Sequence, residues 1–175
     1  MRSTYAKTGS ALVLFAIVAA AAMFAFVSHS SAGAGQSANG HGTLINPDGT
    51  KRQFSFSARI NSDGTVSGHA VLRNPAFDGA NGKPYYLHLD ISCMHVVGNI
   101  AIFGGTESKT NDPIDTAYFT VQDNGEPGKD RDKISRLFFW DDDPTTTGDP
   151  QACLLTGPLD FPLETIDSGN IQVRG

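Results

Sequence analysis

The chain has 175 residues, with 13 lysines and arginines against 18 aspartates and glutamates, which gives a formal net charge of −5. An acidic chain without a run of basic residues repels phosphate backbones and anionic lipid surfaces, so nucleic acid is excluded as an expected partner and attraction to such membranes is disfavoured. About 140 residues follow an N-terminal leader, a length that suits one domain.

Residues 1–34 have the layout of a signal peptide. Arg2 and Lys7 precede an unbroken apolar run over 11–27, and the small residues up to Ala34 offer a cleavage site. Cleavage there leaves a mature chain of net charge −7 with no second apolar span. The alternative is an uncleaved anchor, because the run is just long enough to cross a bilayer. We therefore predict a secreted, periplasmic or cell-surface protein without a stable membrane span after cleavage.

The predicted mature chain divides into a flexible start over 35–41 and a single β-domain over 42–175. From residue 42 onward, short alternating segments are separated by Gly, Asn, Asp and Pro, and no window has apolar residues at helical spacing. About eight short strands with turns every eight to twelve residues are typical of an antiparallel β-sandwich or a small barrel. The expected fold is all-β, without a substantial helix.

The first strands are predicted to pair through tight turns. A brief strand over 43–45 is followed by a turn and by the segment 53–60, which alternates apolar and polar residues. The turn 61–64 contains a glycine that is free to take positive φ, and 65–73 again alternates. These two longer strands are expected to form a hairpin.

The stretch 85–97 is predicted to be the central strand. The aliphatic residues from Leu87 to Ile91 and then Cys93 fall on one side of a period-2 pattern, and polar residues fall on the other. Cys93 and Cys153 are the two cysteines of the chain. In an oxidising compartment we expect a disulfide between them, and two separate buried thiols are the alternative.

The second half of the chain contains shorter segments. Within the first of them, Gly104 and Gly105 indicate a bulge or a close backbone approach. The apolar stretch 153–163 holds two prolines and is predicted to be an extended edge or coil. The predicted strands cover 100–106, 116–122, 134–140 and 171–173.

Five strings occur together in the mature chain: GHGT at 40–43, FSF at 54–56, GHA at 68–70, DNGEPG at 123–128 and GNIQV at 169–173. In this combination the chain resembles a recurring uncharacterised all-β domain of secreted bacterial proteins, of which DNGEPG and GNIQV are the specific signatures. The resemblance covers nearly all of the mature chain. It implies an exported module without an assigned activity or established catalytic residues.

The acidic loop 123–132 gathers carboxylates and amide oxygens around two glycines, and Ca²⁺ takes six to eight such oxygens. The candidate calcium ligands are Asp123, Glu126, Asp130 and Asp132. The spacing differs from that of an EF-hand, and two basic residues in the loop oppose a cation. The alternative is a connection in which polar side chains hydrogen-bond the loop backbone.

Two further groups of side chains are candidates for binding. Tyr118, Phe139 and Trp140 form a possible aromatic platform on which sugar rings would stack, with burial in a core as the alternative. His69 and His88 are expected, with a nearby aspartate, on the polar face of neighbouring strands, where they are solvated or hold a surface zinc or copper ion.

The chain lacks the G-x-S-x-G, H-E-x-x-H, P-loop and G-x-G-x-x-G motifs. We therefore predict a non-enzymatic binding or structural module with no catalytic residue, and with calcium as the one candidate cofactor. The alternatives are a calcium-dependent module that binds carbohydrate, and a secreted hydrolase with dispersed acidic residues. Neither a partner protein nor a carbohydrate is specified by the sequence.

Overall fold

The computed structural model describes residues 35–111, 116–141 and 148–175, and of 138–141 it describes the backbone alone. The predicted signal peptide lies outside these residues. The described part of the chain folds into ten strands and one short 3₁₀ helix, and contains no helix long and apolar enough to cross a membrane. The all-β prediction is confirmed, with more strands than the predicted eight.

The strands form one continuous antiparallel sheet rather than the two sheets of a sandwich. The spatial order is β10-β1-β2-β3-β4-β5-β6-β7-β9, and β8 also pairs with β6. The elements are β1 (Ser37–Ile45), β2 (Lys51–Ile60), β3 (Val66–Asp78), β4 (Pro84–Val97), β5 (Ile100–Thr110), β6 (Thr116–Gln122), β7 (Lys133–Ser135), β8 (Phe138–Asp141), the 3₁₀ helix (Pro150–Leu155), β9 (Leu163–Thr165) and β10 (Ser168–Arg174).

The sheet curls until its two ends are neighbours. β9 and β10 stand at opposite ends of the spatial order, yet only Ile166 and Asp167 separate them along the chain. Three Cα–Cα steps reach at most about 11 Å, so these ends of β9 and β10 must lie close together. The curled sheet forms a half-barrel, with a concave inner face and a convex outer face.

The turns 46–50 and 61–65 are built in the same way. In each, the threonine at the end donates its N–H and its hydroxyl to the aspartate two residues earlier. The hydrogen bonds from Thr50 lower the pKa of Asp48, and those from Thr65 lower the pKa of Asp63. The second turn joins β2 to β3 and confirms the predicted hairpin.

The prediction of a flexible start over 35–41 is wrong, because β1 begins at Ser37. This strand is paired on both sides, with β10 and with β2. Its Ser, Ala, Asn and Gly residues have low strand propensity, so the local pattern does not reveal it. Gly40 is buried against Phe56, whose ring would lie 2.8 Å from any added Cβ. Pairing with segments distant in sequence, rather than local propensity, therefore determines that this segment forms a strand.

β4 is the predicted central strand, between β3 and β5. It contains a bulge, beyond which its side chains point to the opposite faces of the sheet. Ile91 is opposite Gly105, whereas Cys93 is opposite Gly104, so β4 has one extra residue there. Such a residue reverses which side chains point inward. Cys93 therefore lies on the outer face, and the prediction that it shares a face with Leu87 is wrong.

A second, smaller hydrophobic cluster covers the outer face of β4, β5 and β6, and we call it the outer cluster. It consists of Cys93, Ile100, Ile102, Tyr118 and Cys153, with Ala152 and Phe161 beside them. The main core occupies the inner face. β5 and β6 are thus buried on both faces over most of their length.

The 3₁₀ helix holds the outer cluster in place. The predicted disulfide between Cys93 and Cys153 is present and ties the helix to β4. The prediction of an extended edge or coil from residue 153 onward is wrong for the helical part, since Asp149 caps the N–H of Gln151 and starts a turn of helix. A Cβ on Gly104 would lie 2.1 Å from the Pro150 carbonyl oxygen, which confirms the predicted close approach.

Candidate functional site

The inner face of the curled sheet partly encloses a cavity of about 660 Å³. Side chains from β2, β3 and β4, with Phe119 of β6 and Ile134 of β7, form its walls. The cavity opens at the end that carries the β1–β2 turn, where Asp48 and Phe77 are exposed. The apolar wall residues are Leu44, Phe54, Phe56, Ala70, Leu72, Tyr85, Leu87, Leu89, Phe119, Ile134 and Leu137.

The cavity is wide beside β3 because Ala70 is a small inward residue. It lies directly between the larger Phe56 of β2 and Leu89 of β4. The inward residues of β3 from Val66 to Leu72 are only half-buried. A side chain larger than alanine at position 70 would fill part of the cavity.

An aromatic cluster forms the floor of the cavity. The ring centroid of Phe103 lies 5.3 Å from that of Phe56 and 4.6 Å from that of Phe119. Phe56 and Phe119 reach the cavity, whereas Phe103 packs behind them. Aromatic pairs at these separations are favourable and rigid, which gives the cavity a defined end.

Two arginines and one glutamate meet at the mouth of the cavity. Arg52 of β2 points inward beside Phe54 and is 7% exposed. Its Nη2 donates to Oε2 of Glu164, which β9 holds on the inner face opposite Ile134. Arg136 donates from Nε to the other oxygen, Oε1, at 2.7 Å. We call Arg52, Arg136 and Glu164 the mouth triad.

The mouth triad fixes the ionisation of Glu164. Partial burial raises the pKa of this carboxyl group, but the hydrogen bonds and positive charges of Arg136 and Arg52 outweigh it, so the pKa is lowered overall. Nε of Arg52 is buried without an acceptor among the described residues. The guanidinium group therefore has a donor that no residue in the described part of the chain satisfies.

The acidic loop joins the two ends of the sheet. Asp132 is fully buried, and its two oxygens accept from the backbone N–H groups of Asn124 and Ile171 at 2.8 Å each. Asp123 accepts from the N–H of Val173 at 3.0 Å. Ile171 and Val173 lie on the free edge of β10, so carboxylates take the place of a neighbouring strand there.

The remaining candidate calcium ligands also contact β10 or point to solvent. Glu126 accepts from the side-chain amides of Asn170 and Gln172, while Asp130 is exposed. The DNGEPG and GNIQV strings thus bind each other. Within the described ranges no group of three or more His, Cys, Asp or Glu side chains is arranged to hold a metal ion. Calcium binding stays a prediction, which melting the protein with and without a chelator tests.

The predicted aromatic platform does not include Tyr118. This residue is 2% exposed, belongs to the outer cluster and donates its hydroxyl to the Asp149 carbonyl. The prediction is wrong because the 3₁₀ helix covers the outer face of β6, which the local pattern of that strand does not reveal. The side chains of Phe139 and Trp140 lie outside the described residues.

The polar outer face brings His69 and Asp90 together, as expected. They are register partners on β3 and β4, His88 is diagonal to His69, and Ser57 of β2 is opposite His69 on the other side. No hydrogen bond in the described part of the chain joins these exposed side chains. For Ser57 to act as a nucleophile, it would need a base in contact with it and an oriented donor for the oxyanion. These exposed side chains are therefore a weaker candidate site than the cavity.

Sequence reasoning missed the cavity and the mouth triad. One signal was present, because Arg52 continues the inward series of Phe54, Phe56 and Ala58, and a charge on an apolar face is unusual. Glu164 and Arg136 carry no such signal, since they lie in or beside strands of three residues.

Searches against protein-family models, curated proteins and solved structures found no match for this chain. The class that the structure defines is a single-sheet, antiparallel all-β domain with an apolar interior cavity.

Proposed function

We propose that this protein binds one small, largely apolar molecule in its interior cavity. The observation that carries the proposal is the cavity of about 660 Å³, whose walls are aromatic and aliphatic side chains. Ligand pockets of drug-sized molecules occupy about 300–1,000 Å³ and are mostly apolar with a few polar groups. The mouth triad supplies those polar groups at one end.

The size of the cavity supports a ligand rather than imperfect packing. Protein interiors are packed about as densely as organic crystals, and their voids are few and small. A space of this volume exceeds the roughly 30 Å³ of one water molecule many times over. A ligand restores the dispersion contacts that the wall residues otherwise lack.

The proposed role is binding outside the cytoplasm, without catalysis. The disulfide between Cys93 and Cys153 supports an oxidising compartment, because such bonds persist there. The leader over 1–34 agrees with that location. N-terminal sequencing of the protein recovered from outside the cytoplasm tests it, and a start at Gly35 is the expected result.

Fluorescence of an uncharged apolar dye such as N-phenyl-naphthylamine tests the cavity directly. We expect the dye to bind with enhanced emission and in a ratio of one per chain. In Ala70→Phe, a ring fills the space between Phe56 and Leu89, so dye affinity should fall by at least about tenfold while the fold is kept.

Ser57→Phe is the matched control. It adds the same ring to the exposed outer face of the neighbouring strand β2, and Ser57 does not line the cavity. We expect this variant to bind the dye as the native protein does. Equal dye affinity in Ala70→Phe and in the native protein would contradict binding in the cavity.

A further inference from the structure

We infer that the ligand of the cavity is uncharged, that it carries an oxygen acceptor at one end, and that the mouth triad selects it against carboxylates. This inference rests on the proposed function, and it names the chemical class that the same cavity takes. It depends on how the donors and the charges at the mouth are balanced.

Arg52 has more hydrogen-bond donors at the mouth than its contact with Glu164 uses. The guanidinium group of Arg52 carries five N–H groups, and its hydrogen bond to Glu164 uses one of them. Nε is buried and has no acceptor among the described residues. A buried N–H without a partner is unfavourable, and an oxygen on a bound molecule would remove that cost after a small shift of the side chain.

The charges at the mouth are already compensated. Glu164 accepts from both Arg52 and Arg136, so its carboxylate offsets one of the two positive charges that would otherwise attract an anion. Glu164 lies behind the two arginines, whereas the carboxylates of Asp48 and Asp78 line the opening itself and offset the remaining positive charge. The cavity entrance therefore has no surplus of positive charge.

A carboxylate that entered beside Arg52 would lose its water and meet the like charge of Glu164, which is bound to the same guanidinium group in a partly buried place. Both effects oppose binding, since desolvation penalises the ionised form and repulsion is strong where the effective dielectric constant is low. An alcohol, ester or ketone oxygen accepts the same hydrogen bond without either cost. Glu164 is thus a specificity-determining residue, and Arg52 provides the hydrogen bond.

Displacement of the uncharged dye by decanol and by decanoate at neutral pH measures this selection, because the two share a chain length and differ in the head group. Decanol is the more apolar of the two, so the informative quantity is how a substitution changes the ratio of the two affinities. Glu164→Gln removes the competing carboxylate and keeps the shape. We expect it to shift the ratio toward decanoate by at least about tenfold.

Two further variants separate the outcomes. Arg136→Gln changes an exposed side chain at the mouth and removes a positive charge, so it should shift the ratio in the opposite direction, toward decanol. Asp63→Asn removes a carboxylate from the β2–β3 turn, away from the cavity, and controls for net charge.

An unchanged ratio in both Glu164→Gln and Arg136→Gln, with dye still bound, would overturn the selection by charge while the cavity remains a binding site. Failure of the native protein to bind the dye would overturn the proposed function itself. Arg136→Gln also keeps the inference open to refutation if Glu164→Gln does not fold.

Discussion

The two sides of the curled sheet differ in how they are covered. β1 and β2 have one buried face and β3 has one half-buried face, and the outward side chains of all three strands are mostly exposed. β5 and β6 are buried on both faces, because the 3₁₀ helix and its disulfide lie over them. The cavity lies against the first side, and the aromatic floor is shared with the second.

The difference in covering distinguishes a tightly packed part of the sheet from the part that borders the cavity. A strand packed on both faces cannot yield space, since each side chain is fixed by neighbours above and below. β2 and β3, two of the singly covered strands, border the open volume, and β3 carries the small inward residue Ala70 there. We interpret the doubly covered side as the support and the singly covered side as the adaptable wall.

The largest expected effect comes from a matched pair of phenylalanines. Phe103→Ala removes a fully buried ring of the doubly covered side and should lower the free energy of unfolding by about 4 kcal/mol. Phe54→Ala removes a ring that already faces the cavity, so about 2 kcal/mol is expected from the lost apolar burial. Urea denaturation measures both, and equal losses would contradict the distinction between the two sides.

Reduction of the disulfide should have the next largest effect. The bridge closes a loop with a sequence separation of 60, and its loss should lower the free energy of unfolding by about 2–4 kcal/mol. The chain has two cysteines, so a reductant acts on this bond alone. Hydrogen exchange should accelerate in β4 and β5 more than in β1, and uniform acceleration would contradict a local support.

The hydrogen bonds between the acidic loop and β10 join the two ends of the sheet, and Asp132→Asn tests their contribution to stability. An amide has one oxygen and cannot accept from both Asn124 and Ile171, so one buried N–H loses its partner. The expected loss in the free energy of unfolding is about 1–3 kcal/mol. Asp130→Asn, on an exposed residue of the same loop, is the control and should change it by less than about 0.5 kcal/mol.

The all-β class, the β2–β3 hairpin and the central strand could be predicted because each rests on local alternation and turn residues. The start of β1 could not, since Ser37 to His41 form a strand only by pairing with the distant ends of β2 and β10. The outward direction of Cys93 could not either. A single bulge reverses it, and the glycines at 104–105 indicate a bulge or close approach without indicating that the extra residue lies in β4.

The candidate site was predictable only in part. Alternation in β2 places Arg52 on the inner face, but its partner Glu164 comes from a strand at the far end of the sheet order. That contact depends on how far the sheet curls, which local patterns do not determine. The acidic loop was noticed for its oxygens, and the structure shows that two of its aspartates accept from β10 backbone groups.

The smallest expected effect concerns acid and the singly covered side. The pKa of Glu164 is lowered in the folded protein, because hydrogen bonds and charge from Arg136 and Arg52 outweigh partial burial. A folded pKa below the unfolded value, about 4.3 for glutamate, adds stability above that pH and loses it as the pH falls through the folded pKa. The native protein should therefore lose this contribution on acidification below about pH 4.

Glu164→Gln removes the titrating group, so the free energy of unfolding should depend less steeply on pH below about pH 4 than in the native protein. Urea denaturation at a series of pH values measures the two slopes, and Asp130→Asn controls for the loss of one acidic group.

Dye-displacement affinities in the same buffers extend the test to the cavity, because protonation removes the charge of Glu164 as the substitution by glutamine does. Acid also protonates decanoate itself, and Glu164→Gln serves as the reference that corrects for this. If the mouth triad governs selection, acid should raise the affinity for decanoate relative to decanol more in the native protein than in Glu164→Gln.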